Sequence, residues 1–77
     1  MYIATFYTHF GAVSFSRMLQ RHDQSGTMMP VPRSLSASCG VCVKFPSLDG
    51  LPLEDCDDLT SVYLQEGEGF TQVYTNE

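Results

Sequence analysis

Tyr2-Ile3-Ala4-Thr5-Phe6-Tyr7-Thr8, continued by HFGAVSFSRMLQRHDQSG over residues 9–26, decides the architecture. Residues 2–7 are apolar and rich in strand formers, the composition of a buried first strand. Thr8 offers a hydroxyl able to cap a helix. From Gly11 to about His22, apolar residues recur at Ala12, Phe15, Met18 and Leu19, with Ser14, Ser16, Arg17 and Arg21 on the other side. That spacing predicts an amphipathic helix packed on the first strand. Asp23-Gln24-Ser25-Gly26 ends it, with Gly26 expected as the left-handed stop.

Outward from this β-α unit, Thr27 to Val31 reads as a second strand halted by Pro30 and Pro32. Cys39 to Phe45 reads as a third, with Val41, Val43 and Phe45 on one face and Cys42 and Lys44 on the other. Pro46 to Pro52 is punctuation around an Asp49-Gly50 turn. Leu53 to Leu59 is acidic and suits one or two helical turns, with Pro52 at the first position and Glu54 and Asp55 in the first turn. Ser61 to Gln65 and Phe70 to Thr75 are strand-like and joined by Glu66-Gly67-Glu68-Gly69, a hairpin pattern whose last arm reads as a strand or a loose tail. The order β-α-β-β-α-β, with an additional C-terminal strand or tail, predicts an α+β fold. The expected form is a two-layer ferredoxin-like sandwich in one small domain over residues 1–77.

Four basic and nine acidic residues give a formal charge of −5, which disfavours nucleic acid as a partner because phosphate binding needs clustered cations. The acids gather between Asp49 and Asp58 and after Glu66, whereas Arg17, Arg21, Arg33 and Lys44 lie earlier. Residues 1–6 lack the basic start and long apolar run of a secretory signal, and no segment approaches membrane-spanning length. Three cysteines is an odd number, which does not suit a structural disulfide framework. The expectation is a cytoplasmic chain with reduced thiols and no membrane partner.

The chemistry concentrates in Pro30-Val31-Pro32-Arg33-Ser34-Leu35-Ser36-Ala37-Ser38-Cys39-Gly40-Val41-Cys42. The prolines send this segment into a loop, Gly40 removes steric cover beside Cys39, and Arg33 places a cation six residues upstream. Cys39 and Cys42 form a Cys-x-x-Cys. Such a pair reads either as a thiolate nucleophile that accepts sulfur or exchanges disulfides, or as two small buried apolar residues. Gly40, the serines and Arg33 favour the first reading for Cys39. Cys42, alternating to the other face of a strand, reads as a structural residue or a slow resolving thiol. Ser34, Ser36 and Ser38 suit an anion or simple loop filler.

Cys56 is flanked by carboxylates that disfavour its thiolate, so it is expected to pack inward. A zinc site built from Cys39, Cys42, Cys56, His9 and His22 has no familiar ligand spacing, and no metal or cofactor is expected. His9 reads as a proton donor or as a junction residue bonded to backbone, and His22 as a complement to the helix dipole.

These residues resemble a small bacterial family of selenium/sulfur carrier-like proteins. The resemblance rests on the opening Tyr2-Ile3-Ala4-Thr5-Phe6 strand, the helix, Pro30-x-Pro32-Arg33 followed by Ser36 and Cys39-Gly40, a short acidic helix and a closing Val62-Tyr63 strand. It implies that Cys39 carries persulfide or selenide with Arg33 as electrostatic support, and it does not extend to Cys42. The implied partners are a desulfurase-type protein donor and a protein acceptor, and the action is that of a carrier more than of a turnover enzyme. Two other functions fit the same residues. One is a dithiol redox module in which Cys39 attacks and Cys42 resolves. The other is a small interaction domain that binds through its Pro-x-Pro-Arg loop or sheet edge, an edge that also leaves room for a homodimer.

Overall fold

The computed structural model describes residues 1–35 and 40–76. Strand β1 (Tyr2–Phe6) leads into helix α1 (His9–Arg21), then β2 (Thr27–Pro30), β3 (Val41–Phe45), a single 3-10 turn at Leu53–Asp55, β4 (Leu59–Glu66) and β5 (Gly69–Thr75). The five strands form one antiparallel sheet in the order β2-β3-β1-β4-β5. The fold is therefore α+β. β1 runs through α1 to β2, and β3 lies between those two strands.

The sheet differs from a four-strand ferredoxin-like one by its fifth strand: the expected additional C-terminal segment is a strand, β5, which pairs with β4 and extends the sheet at that edge. The second helix is only the three-residue 3-10 turn. The reason is local. Leu48, Leu51, Leu53 and Cys56, which pack against the core, are not spaced to form a helical stripe. Glu54, Asp55, Asp57 and Asp58 also repel one another. The segment packs those leucines and Cys56 against the core instead.

Helix α1 begins two residues before the expected Gly11, and Thr8 caps it as its chemistry predicts: its Oγ1 accepts the Gly11 N–H at 3.1 Å. The other end differs from expectation. Asp23, not Gly26, takes the left-handed conformation, with φ of 60°. The Gln24 N–H donates to the Leu19 carbonyl at 2.9 Å and the Asp23 N–H to that of Gln20 at 3.2 Å, which is a Schellman closure. Gly26 is small for a different reason: a Cβ there would stand 2.6 Å from Leu19 Cδ1 and 2.8 Å from Val43 Cγ1.

The core lies between α1 and one face of the sheet. Phe6 and Phe15 rings meet at 5.3 Å between centroids, Phe15 and Phe45 at 5.2 Å, and Phe45 stacks on Tyr2 at 5.7 Å. Each such pair adds about 0.5–1.5 kcal/mol beyond the area it buries. Ala4, Ala12, Leu19, Val43, Leu59 and Val62 fill the space around this aromatic file. The turn from β4 to β5 has Gly67 at its first central position with φ of 58°, where a side chain would be strained.

Strand alternation sends Ile3, Thr5, Cys42 and Ser61 to the face opposite α1, yet all four are buried. On that face Ser34 and Leu35 border a cleft with Tyr63, Phe70 and Gln72. The segment after β2 thus folds back over the sheet.

Candidate functional site

Several elements converge on one end of the sheet. Thr5 pairs with Cys42, Phe6 with Leu59, and Pro30 with Val41. The exit of β1, the first turn of α1, the exit of β2 and the entries of β3 and β4 therefore lie together. The Pro-x-Pro-Arg loop springs from this end. Its base is closed by the Val31 N–H donating to the Gly40 carbonyl at 3.1 Å. The Leu35 N–H donates to the Pro32 carbonyl at 3.0 Å, which tightens the turn that carries Arg33 and Ser34. Both of these residues are exposed.

Cys39 lies outside the described residues, as do Ser36 and Ser38. Gly40 is exposed, but its φ is not left-handed and a Cβ there would meet nothing within 4 Å. What Gly40 provides is an open surface next to residue 39.

Cys42 is 0% exposed, in the middle of the sheet, with Sγ 3.7 Å from the Pro30 carbonyl oxygen. Across the strands it stands in a buried row of small polar residues, Cys42, Thr5 and Ser61. Thr5 Oγ1 donates to the Ser61 carbonyl at 3.4 Å, and Gln72 Nε2 donates to Ser61 Oγ at 3.0 Å. Solvent does not reach this thiol, and its place in the row is that of a packing residue.

Cys56 is half-buried, and its Sγ lies 3.5 Å from the Pro52 carbonyl oxygen. Burial pushes its thiol pKa above the ordinary value, and the charges of Asp55, Asp57 and Glu54 push it further the same way. His9 opens α1 and His22 caps its end; both are exposed. Among the described residues no three His, Cys, Asp or Glu side chains gather as a metal would require. No helix among them is long and apolar enough to cross a membrane.

Two features escape the sequence reading. Asp58 pins this end of the molecule. Its carbonyl accepts the Tyr7 N–H at 2.8 Å and its Oδ2 accepts the Thr8 hydroxyl at 2.8 Å. No local pattern signals a contact across 50 residues. The second feature is Phe10, which is 74% exposed. Here a signal existed: at about 100° per residue, position 10 falls about 180° round the helix from Leu19, so this phenylalanine stands off the core stripe.

The family model described as Putative Se/S carrier protein-like matches residues 1–67. No curated protein and no solved structure is significantly similar to the chain. The matched residues run from β1 through β4 into the following turn, and β5 lies beyond them. By the extent of that match, the chain belongs to the Putative Se/S carrier protein-like family.

Proposed function

We propose that this protein is a carrier that holds sulfur or selenium on Cys39 and hands it to an acceptor protein. The observation that carries this reading is the state of the other two thiols. Cys42 is sealed in the sheet, and Cys56 is held protonated by burial and carboxylates, so neither suits a nucleophile. Family membership, the exposed Arg33 and the open surface at Gly40 support the same assignment. A nearby guanidinium favours thiolate over thiol.

Loading is a thiol exchange that needs no external oxidant. The Cys39 thiolate attacks the terminal sulfur of a persulfide on a desulfurase-type donor. A new S–S bond forms on Cys39, the donor's S–S bond breaks, and the donor cysteine leaves as thiolate. The terminal proton stays with the transferred sulfur. Delivery repeats the exchange, with an acceptor thiolate as attacking group and Cys39 as leaving group. The protein acts stoichiometrically, in a reducing compartment such as the cytoplasm.

Intact mass spectrometry after incubation with a cysteine desulfurase and L-cysteine tests this. The expected product gains about 32 Da, one sulfur atom, as a persulfide. Cys39→Ser abolishes the gain and Cys56→Ser keeps it. An unmodified wild-type chain, or an equal gain on Cys39→Ser, overturns the assignment.

A further inference from the structure

Between α1 and the segment 52–58 runs an open groove of about 650 Å³ that the carrier reading does not use. One wall is the flank of α1 from Phe10 through Ser14 and Met18 to Arg21. At 1.5 Å per residue this wall is about 16 Å long, room for about five residues of extended chain. The opposite wall is Pro52, Asp55, Cys56, Asp57 and Asp58.

The groove pairs an apolar flank with an acidic rim. Phe10, 74% exposed, presents a whole ring at its mouth, and Phe15 and Met18 form its floor. Asp55 and Asp57 are exposed along the rim. Arg21, in the last turn of α1, is the one cation among the lining residues and lies at the far end from Phe10. An exposed aromatic ring is the usual anchor of a protein contact, and a one-signed rim selects the opposite charge in its partner.

We propose that this groove docks a short extended segment of a partner protein in which basic side chains alternate with apolar ones. The apolar side chains pack on Phe10 and the groove floor, and the basic ones meet Asp55 and Asp57. Its Phe10 and Asp58 end lies at the sheet end from which the Pro-x-Pro-Arg loop springs. A partner held there sits close to the loop base at Gly40. The groove is complete without Cys39, so the docking stands whatever that thiol does.

The test uses the full chain as Cys39→Ser, which separates docking from sulfur carriage. A fluorescein-labelled lysine–leucine peptide about five residues long is titrated against serine–leucine and glutamate–leucine analogues. The lysine–leucine peptide is expected to bind about tenfold or more tighter than the glutamate–leucine one, and more weakly as salt rises. Phe10→Ala lowers its affinity about tenfold, the effect of removing an anchor residue. Joint Asp55→Asn and Asp57→Asn substitution lowers it several-fold. These three side chains are exposed, so the variants keep the fold, which circular dichroism checks.

Bound peptide also slows alkylation of Cys56, which lines the groove. Equal affinity for the lysine and glutamate peptides, an unchanged affinity in Phe10→Ala, or unaltered Cys56 alkylation at saturation overturns the proposal. Concentration-dependent dimerisation that Phe10→Ala abolishes also overturns it, because the occupant is then a second copy of the chain.

Discussion

The Thr8 hydroxyl donates to Asp58 Oδ2 at 2.8 Å while its oxygen accepts the Gly11 N–H at 3.1 Å. One side chain thus caps α1 and ties the helix start to the residue that precedes β4. The Asp58 carbonyl, accepting from the Tyr7 N–H at 2.8 Å, adds a second tie at the same place. The carboxylate also stands at the N-terminal end of the helix, where the macrodipole favours negative charge.

Removing the cap is the first test. Thr8→Ala deletes both side-chain bonds and is expected to cost about 1 kcal/mol or somewhat more. Asp58→Ala leaves the cap itself in place but frees the hydroxyl, and is expected to cost less. Urea unfolding of the two single variants and the double variant should give a non-additive cycle, with the double variant losing less than the sum. Strict additivity would mean that the two residues act separately.

Gly11→Ala sets two effects against each other. Alanine gains about 1 kcal/mol over glycine in a helix interior. Against that, its Cβ would stand 2.5 Å from Asp58 Cβ, and Asp58 is held by its own two bonds. Overpacking of this kind costs about 1–3 kcal/mol. A net loss of stability is expected, and Asp58→Gly in the same chain should restore part of it. A stabilised Gly11→Ala variant would show that the segment at 58 yields freely.

The end of α1 separates two residues that the sequence alone assigns the wrong way round. Asp23 bears the left-handed backbone. Asp23→Gly is expected to stabilise the chain by about 0.5–1 kcal/mol, because glycine takes that conformation without a Cβ penalty. Gly26→Ala places a methyl against Leu19 and Val43, both fully buried, and is expected to cost about 1–3 kcal/mol. Thermal melts of the two variants should move in opposite directions.

What the sequence made legible was local. The apolar run at Tyr2–Phe6, the Ala12-Phe15-Leu19 stripe, the Thr8 cap and the alternation of Val41, Val43 and Phe45 are patterns of a few residues, and each reappears in the structure. The inward packing of Cys56 was readable from its acidic neighbours. The Asp58–Thr8 tie, the burial of Ile3 and Thr5 on the face opposite α1 and the groove beside Phe10 depend on chain segments far apart in sequence. Of the one or two helical turns expected after Pro52, a single 3-10 turn forms at Leu53–Asp55, because the repulsion along the acidic run outweighs a weak local propensity. Gly26 misled because a glycine soon after a helix suits either a left-handed stop or a close contact; α1 ends at Arg21, and Gly26, five residues on, packs against Leu19 and Val43.

Gly40 yields a prediction that divides stability from function. A Cβ at this position meets open space and the backbone is not left-handed, so Gly40→Ala is expected to leave stability within about 0.5 kcal/mol. If the glycine serves by leaving the flank of Cys39 open, the same variant should take up sulfur more slowly from a desulfurase persulfide. Rapid-quench mass spectrometry reads the loading rate, and urea unfolding reads the stability. Unchanged loading would show that openness at position 40 has no part in transfer.

The Cys56 thiol fixes the sign of a pH effect. Burial, and then the charges of Asp55, Asp57 and Glu54, raise its pKa in the folded chain above that of the unfolded one. Below the unfolded value the thiol is protonated in both states, and its contribution to stability is fully present. As pH rises through about 9, the unfolded chain ionises first while the folded chain keeps its proton, so that contribution is progressively lost. Cys56→Ser has no such group. The stability difference between wild type and Cys56→Ser, followed by urea unfolding from pH 7 to pH 10, should therefore stay level and then shift against the wild type above about pH 9. The same raised pKa makes iodoacetamide react slowly with Cys56 at neutral pH, since only thiolate attacks. A Cys39→Ser chain should consume reagent slowly when folded and take it up fast on both remaining cysteines once unfolded. Fast modification of folded Cys39→Ser would mean that Cys42 or Cys56 reaches solvent as thiolate, and the elimination that leaves Cys39 as the carrier would fail with it.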